Sequence, residues 1–481
     1  MKERSLRKVL LLIIIFQLAL TIGQGQNILV RPYLQPGNAP NLNKELKVLI
    51  WQTDSIPGNY VVEFASGNSL KDAVKIETSK VSFVQLHLKN KTTYLYRAVL
   101  TGLGFDAQYT YRVSTNGTSI AEDSFYTRTK KKQTRFVAFG DCGSGSINQA
   151  EIAYQVFLQK PQFVLITGDN VYWRGLESEY RKNFFPIYLA PEALPQKGAP
   201  LMNTIPFYLI LGNHDIYSEN LDKFSDGLAY FYYNDLPLNA PIPTSTLVAE
   251  GNEEKIKEFK KNTKGRFPNI ANYSFDQGNV HIVCLDANTY VNPLDQDLAD
   301  WITRDLRNSN ADWKIVAYHH PGFNSSKAHY DDQWMRLLSP LLEELKIDVV
   351  LTGHVHGYQR SLPLTFAPTL DQAGRHYTIS KEGRVDGVFT LDKEFDGITK
   401  TKPKGIIYVV SGAGGASLYD TAISRKPELW THNPQENWVP FTEKLISNIH
   451  SFTLIETKER ILTLKQLDAK GEILDEIIIT K

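Results

Sequence analysis

Residues 135–172 read RFVAFGDCGSGSINQAEIAYQVFLQKPQFVLITGDNVY, and this stretch decides the fold. An apolar run, Phe136–Phe139, stops at Asp141. A helical stretch, Ile147–Leu158, follows, and a second apolar run, Phe163–Ile166, stops at Asp169. Short apolar runs rich in β-branched and aromatic residues and bounded by glycine read as buried strands. A strand–helix–strand succession argues for an α/β sheet. In open α/β sheets, sites form at the carboxyl ends of strands, which is where both aspartates stand.

The pattern recurs downstream. Phe207–Leu211 precedes Asn213, Val280–Leu285 precedes Asp286, Ile315–Ala317 precedes His319, and Val349–Leu351 precedes His354. Helical stretches at Leu294–Leu306 and Gln333–Leu345 fall between some of these runs. Residues 133–481 are therefore expected to form one α/β domain, a layered β-sheet with helices outside. Its C-terminal strands, Ile406–Val410, Phe452–Ile455, Ile461–Gln466 and Ile473–Ile479, are expected at the sheet edge or in a second covering sheet. Residues 218–272 interrupt the alternation with polar sequence, the aromatics Tyr230–Tyr233, and prolines at 237, 241 and 243. A long insertion at the active-site end of a sheet is often a lid or specificity loop, and that is the expectation here.

Upstream, residues 27–129 read as all-β. Leu46–Trp51, Tyr60–Phe64, Phe83–Leu88, Tyr94–Leu100, Tyr109–Val113 and Phe125–Thr127 are short strand-like segments, punctuated by Pro-Gly, Asn-Gly and Gly-Asn pairs. Regular short strands over such a length predict a sandwich. The lysine-rich stretch Thr129–Thr134 is read as a linker. At the N-terminus, Met1–Lys8 carries four basic residues, Val9–Ile22 is apolar, and Gly23 and Gly25 follow. This is the pattern of a signal peptide over residues 1–25, cleaved near Gly25. The apolar run is shorter than the roughly 18–20 residues of a spanning helix, so no stable membrane anchor is expected after cleavage. The expected location is secreted or periplasmic.

Hydrophobic residues make up 42% of the 481 and charged residues 22%, enough apolar sequence for large cores. The net charge is +1 and no long basic run stands out, so no nucleic-acid footprint is expected. Cys142 and Cys284 lie in apolar strand contexts and read as buried, unlinked thiols.

Five motifs carry the chemistry: Gly140-Asp141-Cys142-Gly143, Gly168-Asp169-Asn170-Val171-Tyr172, Gly212-Asn213-His214-Asp215, Val316-Ala317-Tyr318-His319 and Gly353-His354-Val355-His356. Singly, a strand-end Asp is usually a cap or turn residue and a lone histidine is usually structural. Together they cluster: six of the eleven histidines (214, 319, 320, 329, 354 and 356) lie in or just after these motifs. Phosphate esters resist attack because their own charge repels a nucleophile. Two metal ions about 3.5–4 Å apart neutralise that charge and lower the pKa of bound water. Such a pair needs a bridging ligand, which a carboxylate can be, and mixed N/O ligands suit Fe, Zn or Mn.

In this order and spacing the five motifs resemble those of the purple acid phosphatases, a branch of the calcineurin-like metallophosphoesterases. The resemblance covers most of the chain after the signal segment. It extends to Arg31-Pro32-Tyr33-Leu34-Gln35 in an N-terminal sandwich of fibronectin-III-like type and to Gly353-His354-Val355-His356-Gly357-Tyr358-Gln359-Arg360. It implies a layered metallophosphoesterase domain that hydrolyses phosphate monoesters of small molecules, with a metal-bound hydroxide as nucleophile. It implies that Asp141, Tyr172, His356 and the bridging Asp169 hold a first metal. Asn213, His319, His354 and the same Asp169 hold a second. His214 is implied as the group that protonates or stabilises the leaving group, with Asp215 holding its ring, and His320 and His329 as candidates for gripping phosphate. Many relatives in the wider superfamily have a histidine two residues after the first Asp, where this chain has Gly143. Tyr172 can replace that ligand, and a phenolate favours Fe(III), with Fe(II), Zn or Mn at the second site. The position after Asn213-His214 is Asp215 where plant relatives have Glu. Two rivals stand beside this reading: a phosphodiesterase or nucleotidase on the same centre, and a non-catalytic surface-binding module.

Overall fold

The computed structural model describes residues 27–85, 91–326, 328–374, 376–381, 383–419 and 439–481. The expected signal peptide at 1–25 and the end of the expected strand Phe83–Leu88 lie outside these residues.

The N-terminal part is all-β. One sheet has the strand order Ile28–Gln35, Lys47–Thr53, Lys91–Leu100, Ser79–Gln85; the other has Val74–Ile76, Tyr60–Ser66, Gln108–Thr115, Thr118–Tyr126. The period of two does the work. Leu49, Trp51, Tyr96 and Ala98 from the first sheet meet Val62, Phe64, Tyr111 and Val113 from the second in one buried cluster. Trp51 stacks on Tyr96 at 5.4 Å. The intervening residues of the first sheet, Val48, Ile50 and Leu95, join a different core, that of the larger C-terminal part. The sandwich therefore presents a second apolar face to that part, and polar contacts secure the junction. The Tyr33 hydroxyl donates to the Tyr233 carbonyl at 2.7 Å, Arg97 pairs with Asp235 at 2.7 Å, and Gln52 donates to Glu177 at 2.8 Å.

The C-terminal part is the expected layered α/β domain, and its layers are two mixed sheets face to face. The first runs Phe207–Leu209, Phe163–Ile166, Gln133–Phe139, Ser451–Lys458, Ile461–Asp468, Ile473–Thr480. Its first three strands are parallel, and Ser451–Lys458 joins antiparallel to Gln133–Phe139. The second runs Tyr273–Gln277, Val280–Leu285, Trp313–Tyr318, Val349–Thr352, Ile407–Ser411, Tyr358–Ser361, Thr442–Ile446, with the four strands from Val280–Leu285 to Ile407–Ser411 mutually parallel. Strand Ile407–Ser411, expected at an edge or in a second covering sheet, is internal to this sheet. The last three strands of the chain widen the first sheet instead of building a covering one.

Alternation assigns the faces. Ile282, Cys284, Ile315, Ala317, Val349, Leu351, Ile407 and Val409 share a core with Phe136–Phe139 and Phe163–Ile166 of the first sheet. Val283, Leu285, Val316, Tyr318, Val350 and Tyr408 point the other way. There they are covered by Leu298, Trp301, Ile302 and Leu306 of the helix Gln296–Asn308. On the outside of the first sheet, helix Ile147–Gln159 buries Ala150, Ile152, Ala153 and Val156. Ser146 caps that helix through the Gln149 N–H, and Lys160 ends it in the left-handed conformation. The stretch expected as a helix at Gln333–Leu345 is a 3₁₀ turn, Trp334–Leu338, followed by a short α-helix, Ser339–Glu344. Both cysteines are buried and free. No helix among the described residues is long and apolar enough to cross a membrane.

The 218–272 insertion is not a free lid. Leu228 to Tyr233 are at most 4% exposed and belong to the main core. The Tyr230 hydroxyl donates to Leu209 O at 2.7 Å, and the Tyr233 hydroxyl lies 2.6 Å from Gln52 Oε1 and 2.9 Å from Glu177 Oε1. Much of the insertion is mortar between the sandwich and the metal-site loops.

Candidate metal centre

Both sheets aim their parallel strands' carboxyl ends at one edge, and the predicted ligands converge there. The first sheet delivers Asp141, Asp169, Tyr172, Asn213 and His214. The second delivers His319, His320, His354 and His356. Asp141, Asp169 and His354 carry positive φ of 59°, 50° and 67°. Left-handed backbone at non-glycine residues is held only where the surroundings over-determine it, and it gathers at functional sites.

Close backbone approach explains two glycines. A Cβ on Gly168, whose φ is 97°, would lie 2.3 Å from His319 Nδ1, so only glycine lets that ring pack against the Asp169 loop. A Cβ on Gly143 would lie 1.9 Å from Asn170 O. The position where many relatives carry a histidine therefore has no room for a side chain here. The Gly143 carbonyl accepts from the Tyr172 N–H at 3.0 Å.

Two sets of ligand atoms form, and Asp169 belongs to both. Asp141, Asp169 and His356 offer atoms within 4.8 Å of one another, as do Asp169, His319 and His354. Tyr172 completes the first set, its Oη 3.2 Å from Asp141 Oδ1 and 3.0 Å from His356 Nε2. Asn213 completes the second, its Oδ1 3.2 Å from His319 Nε2. All seven predicted ligands are brought together. The rings are oriented from behind: His319 Nδ1 lies 2.8 Å from Thr167 O and His356 Nδ1 2.6 Å from Ser417 O, which turns each Nε2 inward. The His354 N–H donates to Asp141 Oδ2 at 2.8 Å, tying the two sheets' loops together.

The donor set fits a pair of cations. Asp141 and Asp169 are buried carboxylates whose ion-pair partners among the described residues are histidines alone. His354 Nε2 is buried with no hydrogen-bond partner. Burial opposes ionisation of Asp169, yet the surrounding His319, His214 and His354 hold its carboxyl well below the usual range. Burial works against a charged His319 as well, but Asp169 raises it to about 9. Burial and the nearby carboxylates push the Tyr172 phenol far up, so a phenolate there requires added positive charge.

His214 sits at the mouth. Its Nδ1 is 2.9 Å from the Trp173 carbonyl, its Nε2 is 3.9 Å from Asp169 Oδ2, and its N–H donates to Asp169 Oδ1 at 2.9 Å. The expectation that Asp215 holds the His214 ring is corrected, because the Trp173 carbonyl occupies Nδ1. Asp215 is fully buried and accepts from Gly212 N at 2.9 Å and from the N–H and side-chain amide of Asn170 at 3.2 and 2.8 Å. Burial, reinforced by the Asp169 charge, lifts its carboxyl to about 7.

The two phosphate-gripping candidates differ. His320 is 2% exposed, its ring 4.2 Å from His354 and 5.1 Å from Trp334, and burial keeps it neutral. His329 is partly open to solvent, with its ring 3.9 Å from that of His354.

Sequence reasoning passed over two residues here. Asp332 lies 3.0 Å from His329 Nδ1 and 3.6 Å from His354 Nε2, and His329, Asp332 and His354 form a third potential ligand group. The three-residue spacing of His329 and Asp332 was the available signal. Tyr419 stacks on His356 at 4.1 Å and 6°; nothing local in the sequence marks it.

Comparison with known proteins agrees with this geometry. Residues 134–358 match the family model for calcineurin-like phosphoesterases. Purple acid phosphatase 23 of Arabidopsis thaliana is 25% identical over 322 residues, covering 61% of this chain and 63% of that protein. Purple acid phosphatase 17 of the same plant is 31% identical over 234 residues, covering 47% of this chain and 62% of that one. The chain thus spans about six tenths of the length of these relatives. A purple acid phosphatase isolated from yellow lupin (Lupinus luteus) seeds shares the fold, with a TM-score of 0.59 at 18% identity over 93% of this chain and 74% of that one. With two ligand sets meeting on one aspartate at the shared edge of two sheets, the chain carries a calcineurin-like phosphoesterase domain and is a relative of the purple acid phosphatases.

Proposed function

We propose that this protein is an exported phosphatase that hydrolyses small-molecule phosphate monoesters at a dinuclear metal centre. The observation that carries the reading is the sharing of Asp169 between two buried ligand sets. Asp141, Tyr172, His356 and Asp169 would hold one ion, with Fe(III) favoured by the phenol oxygen. Asn213, His319, His354 and Asp169 would hold the other, Fe(II), Zn or Mn. When bound, the pair would supply neutralisation of phosphate oxygens and activation of water.

The chain's own residues do the rest. The Trp173 carbonyl fixes the His214 ring so that Nε2 faces the site and can deliver its proton to the departing alkoxide oxygen. Asp332 orients His329, whose ring is open to solvent beside the ligands and suited to a phosphate oxygen. Asp215 clamps the loops bearing Asp169 and Asn213 and acts as a positioning residue. The sandwich supports these loops through Gln52, Glu177 and Tyr233. Export is supported by the basic-then-apolar N-terminal sequence, and residues 27–129 and 133–481 are the proposed domains.

Metal analysis with a phosphoester panel tests the proposal. The purified protein is expected to hold two metals per chain and to turn over an aryl monoester faster than the matching diester. Asp169→Ala should lose metal and turnover together. Two metals and near-normal rates in that variant would overturn the shared-ligand reading, and a diester preference would replace monoesterase with diesterase.

A further inference from the structure

Among the described residues, three aromatic side chains are mostly exposed: Tyr126 at 70%, Trp173 at 68% and Tyr217 at 56%. Tyr126 ends a sandwich strand. The other two flank a single imidazole at the mouth of the metal site. The Trp173 ring centroid lies 5.4 Å from that of His214 at an interplanar angle of 68°, and the Tyr217 centroid lies 5.0 Å away at 77°. On the inner side, Tyr172 meets the same imidazole at 4.6 Å.

Two exposed aromatic side chains beside one reactive group make an apolar patch of the kind that marks a ligand-binding site. His214 indicates what binds there. Its Nδ1 is committed to the Trp173 carbonyl, so a leaving-group oxygen has to meet Nε2. Whatever that oxygen carries then lies beside the imidazole that Trp173 and Tyr217 flank. Neither side chain offers the dense hydrogen bonding that a polyol would need. Both offer flat apolar surface.

We propose that Trp173 and Tyr217 form a leaving-group subsite that receives a planar aromatic ring carried on the alcohol of a phosphate monoester. The proposal rests on the phosphatase reading and names its substrate class.

The test compares 2-phenylethyl phosphate with butyl phosphate on the metal-loaded protein. Both release primary alcohols of similar acidity, so the demand on His214 is matched and the ring is the difference. The aromatic ester should win in kcat/KM by roughly 2- to 10-fold, the range of an aromatic contact. Trp173→Ala and Tyr217→Ala should each bring the ratio toward one. Trp173→Phe, which keeps a ring and the backbone carbonyl that holds His214, should retain most of it.

A nucleoside 5′-monophosphate compared with ribose 5-phosphate identifies the ring's source. A preference for the nucleotide makes it a nucleobase; preference confined to the phenylethyl ester makes it a short arylalkyl group. The same ratios read from binding of phenylethyl- and butylphosphonate test the subsite without turnover. Equal values for the aromatic and aliphatic members in wild-type protein, or a preference that survives both alanine variants, overturns the proposal. Absence of turnover with a persisting phosphonate preference would instead sink the phosphatase reading and leave the subsite standing.

Discussion

Asp215 Oδ2 accepts hydrogen bonds from both the backbone N–H and the side-chain amide of Asn170, at 3.2 and 2.8 Å. The same oxygen accepts from Gly212 N at 2.9 Å. One buried carboxylate thereby ties the loop bearing Asp169 to the loop bearing Asn213 and His214. Its neighbour in sequence, His214, takes its orientation from elsewhere.

Asp215→Ala should therefore release metal as well as slow turnover. Removing the acceptor strands buried donors at Asn170 and Gly212, at a cost of about 1–3 kcal/mol each. An orienting role for Asp215 on His214 would give a different result: two metals retained and a rate loss matching that of His214→Ala. Metal content measured beside kcat separates the two.

His214→Ala should keep the proposed metal pair, because its side chain is not among the seven proposed ligands. General acid catalysis typically contributes about 10²–10⁴-fold. The loss should be smallest for esters with acidic leaving groups, which need little protonation. A rate series over leaving-group acidity is the measurement; an equal loss across the series would make His214 a phosphate-binding group.

Tyr172→Phe removes the oxygen that lies 3.0 Å from His356 Nε2 and 3.2 Å from Asp141 Oδ1, and little else. If this phenol binds Fe(III), the oxidised wild-type protein should absorb in the visible by ligand-to-metal charge transfer. The variant should lose the band and hold iron more weakly. An iron-loaded, oxidised wild-type protein without a visible band would end the iron–phenolate assignment, while the carboxylates, Asn213 and the histidines would still support a metallophosphoesterase.

His281 offers a test of stability away from the metal site. It is 4% exposed, with Nδ1 2.7 Å from Asp276 and Nε2 2.9 Å from Asp305. Burial lowers its affinity for a proton, but the two carboxylates raise it to about 9. An unfolded histidine titrates near about 6.5, so the folded state binds the proton more tightly. The resulting stabilisation, on the order of 3 kcal/mol, is fully present below about pH 6.5 and is lost as pH rises through about 9. His281→Gln should lower Tm markedly at pH 6 and much less at pH 10. A Tm penalty that does not change with pH would mean that packing, not charge, holds this histidine.

Much of the site could be read without coordinates because its chemistry is local. A short apolar run that ends in Gly-Asp, Asn-His or Gly-His states both the strand and the ligand at its end. Five of the seven proposed ligands, Asp141, Asp169, Asn213, His319 and His354, stand just after such runs; Tyr172 and His356 came from the family resemblance. Tyr172 was legible through that resemblance, which implies a ligand three residues after Asp169 where Gly143 supplies none. The role of Asp215 on the His214 ring came from the resemblance alone; its carboxylate accepts from Gly212 N and the Asn170 amide instead.

The sequence by itself determined the strand ends, the all-β character of residues 27–129 and the family resemblance, because period and motif are properties of neighbouring residues. Tertiary structure alone decided that two sheets face each other and that Ile407–Ser411 is an internal strand. It also placed Tyr230–Tyr233 in the core instead of a lid, and brought Asp332 and Tyr419 to the site. These facts depend on pairs far apart in the chain. Asp141 accepts from His354 across 213 positions, and Asp215 reaches Asn170 across 45. Such pairs meet because the buried faces of the sheets have to be covered, and covering is settled by how the whole set of apolar surfaces packs rather than by any local pattern.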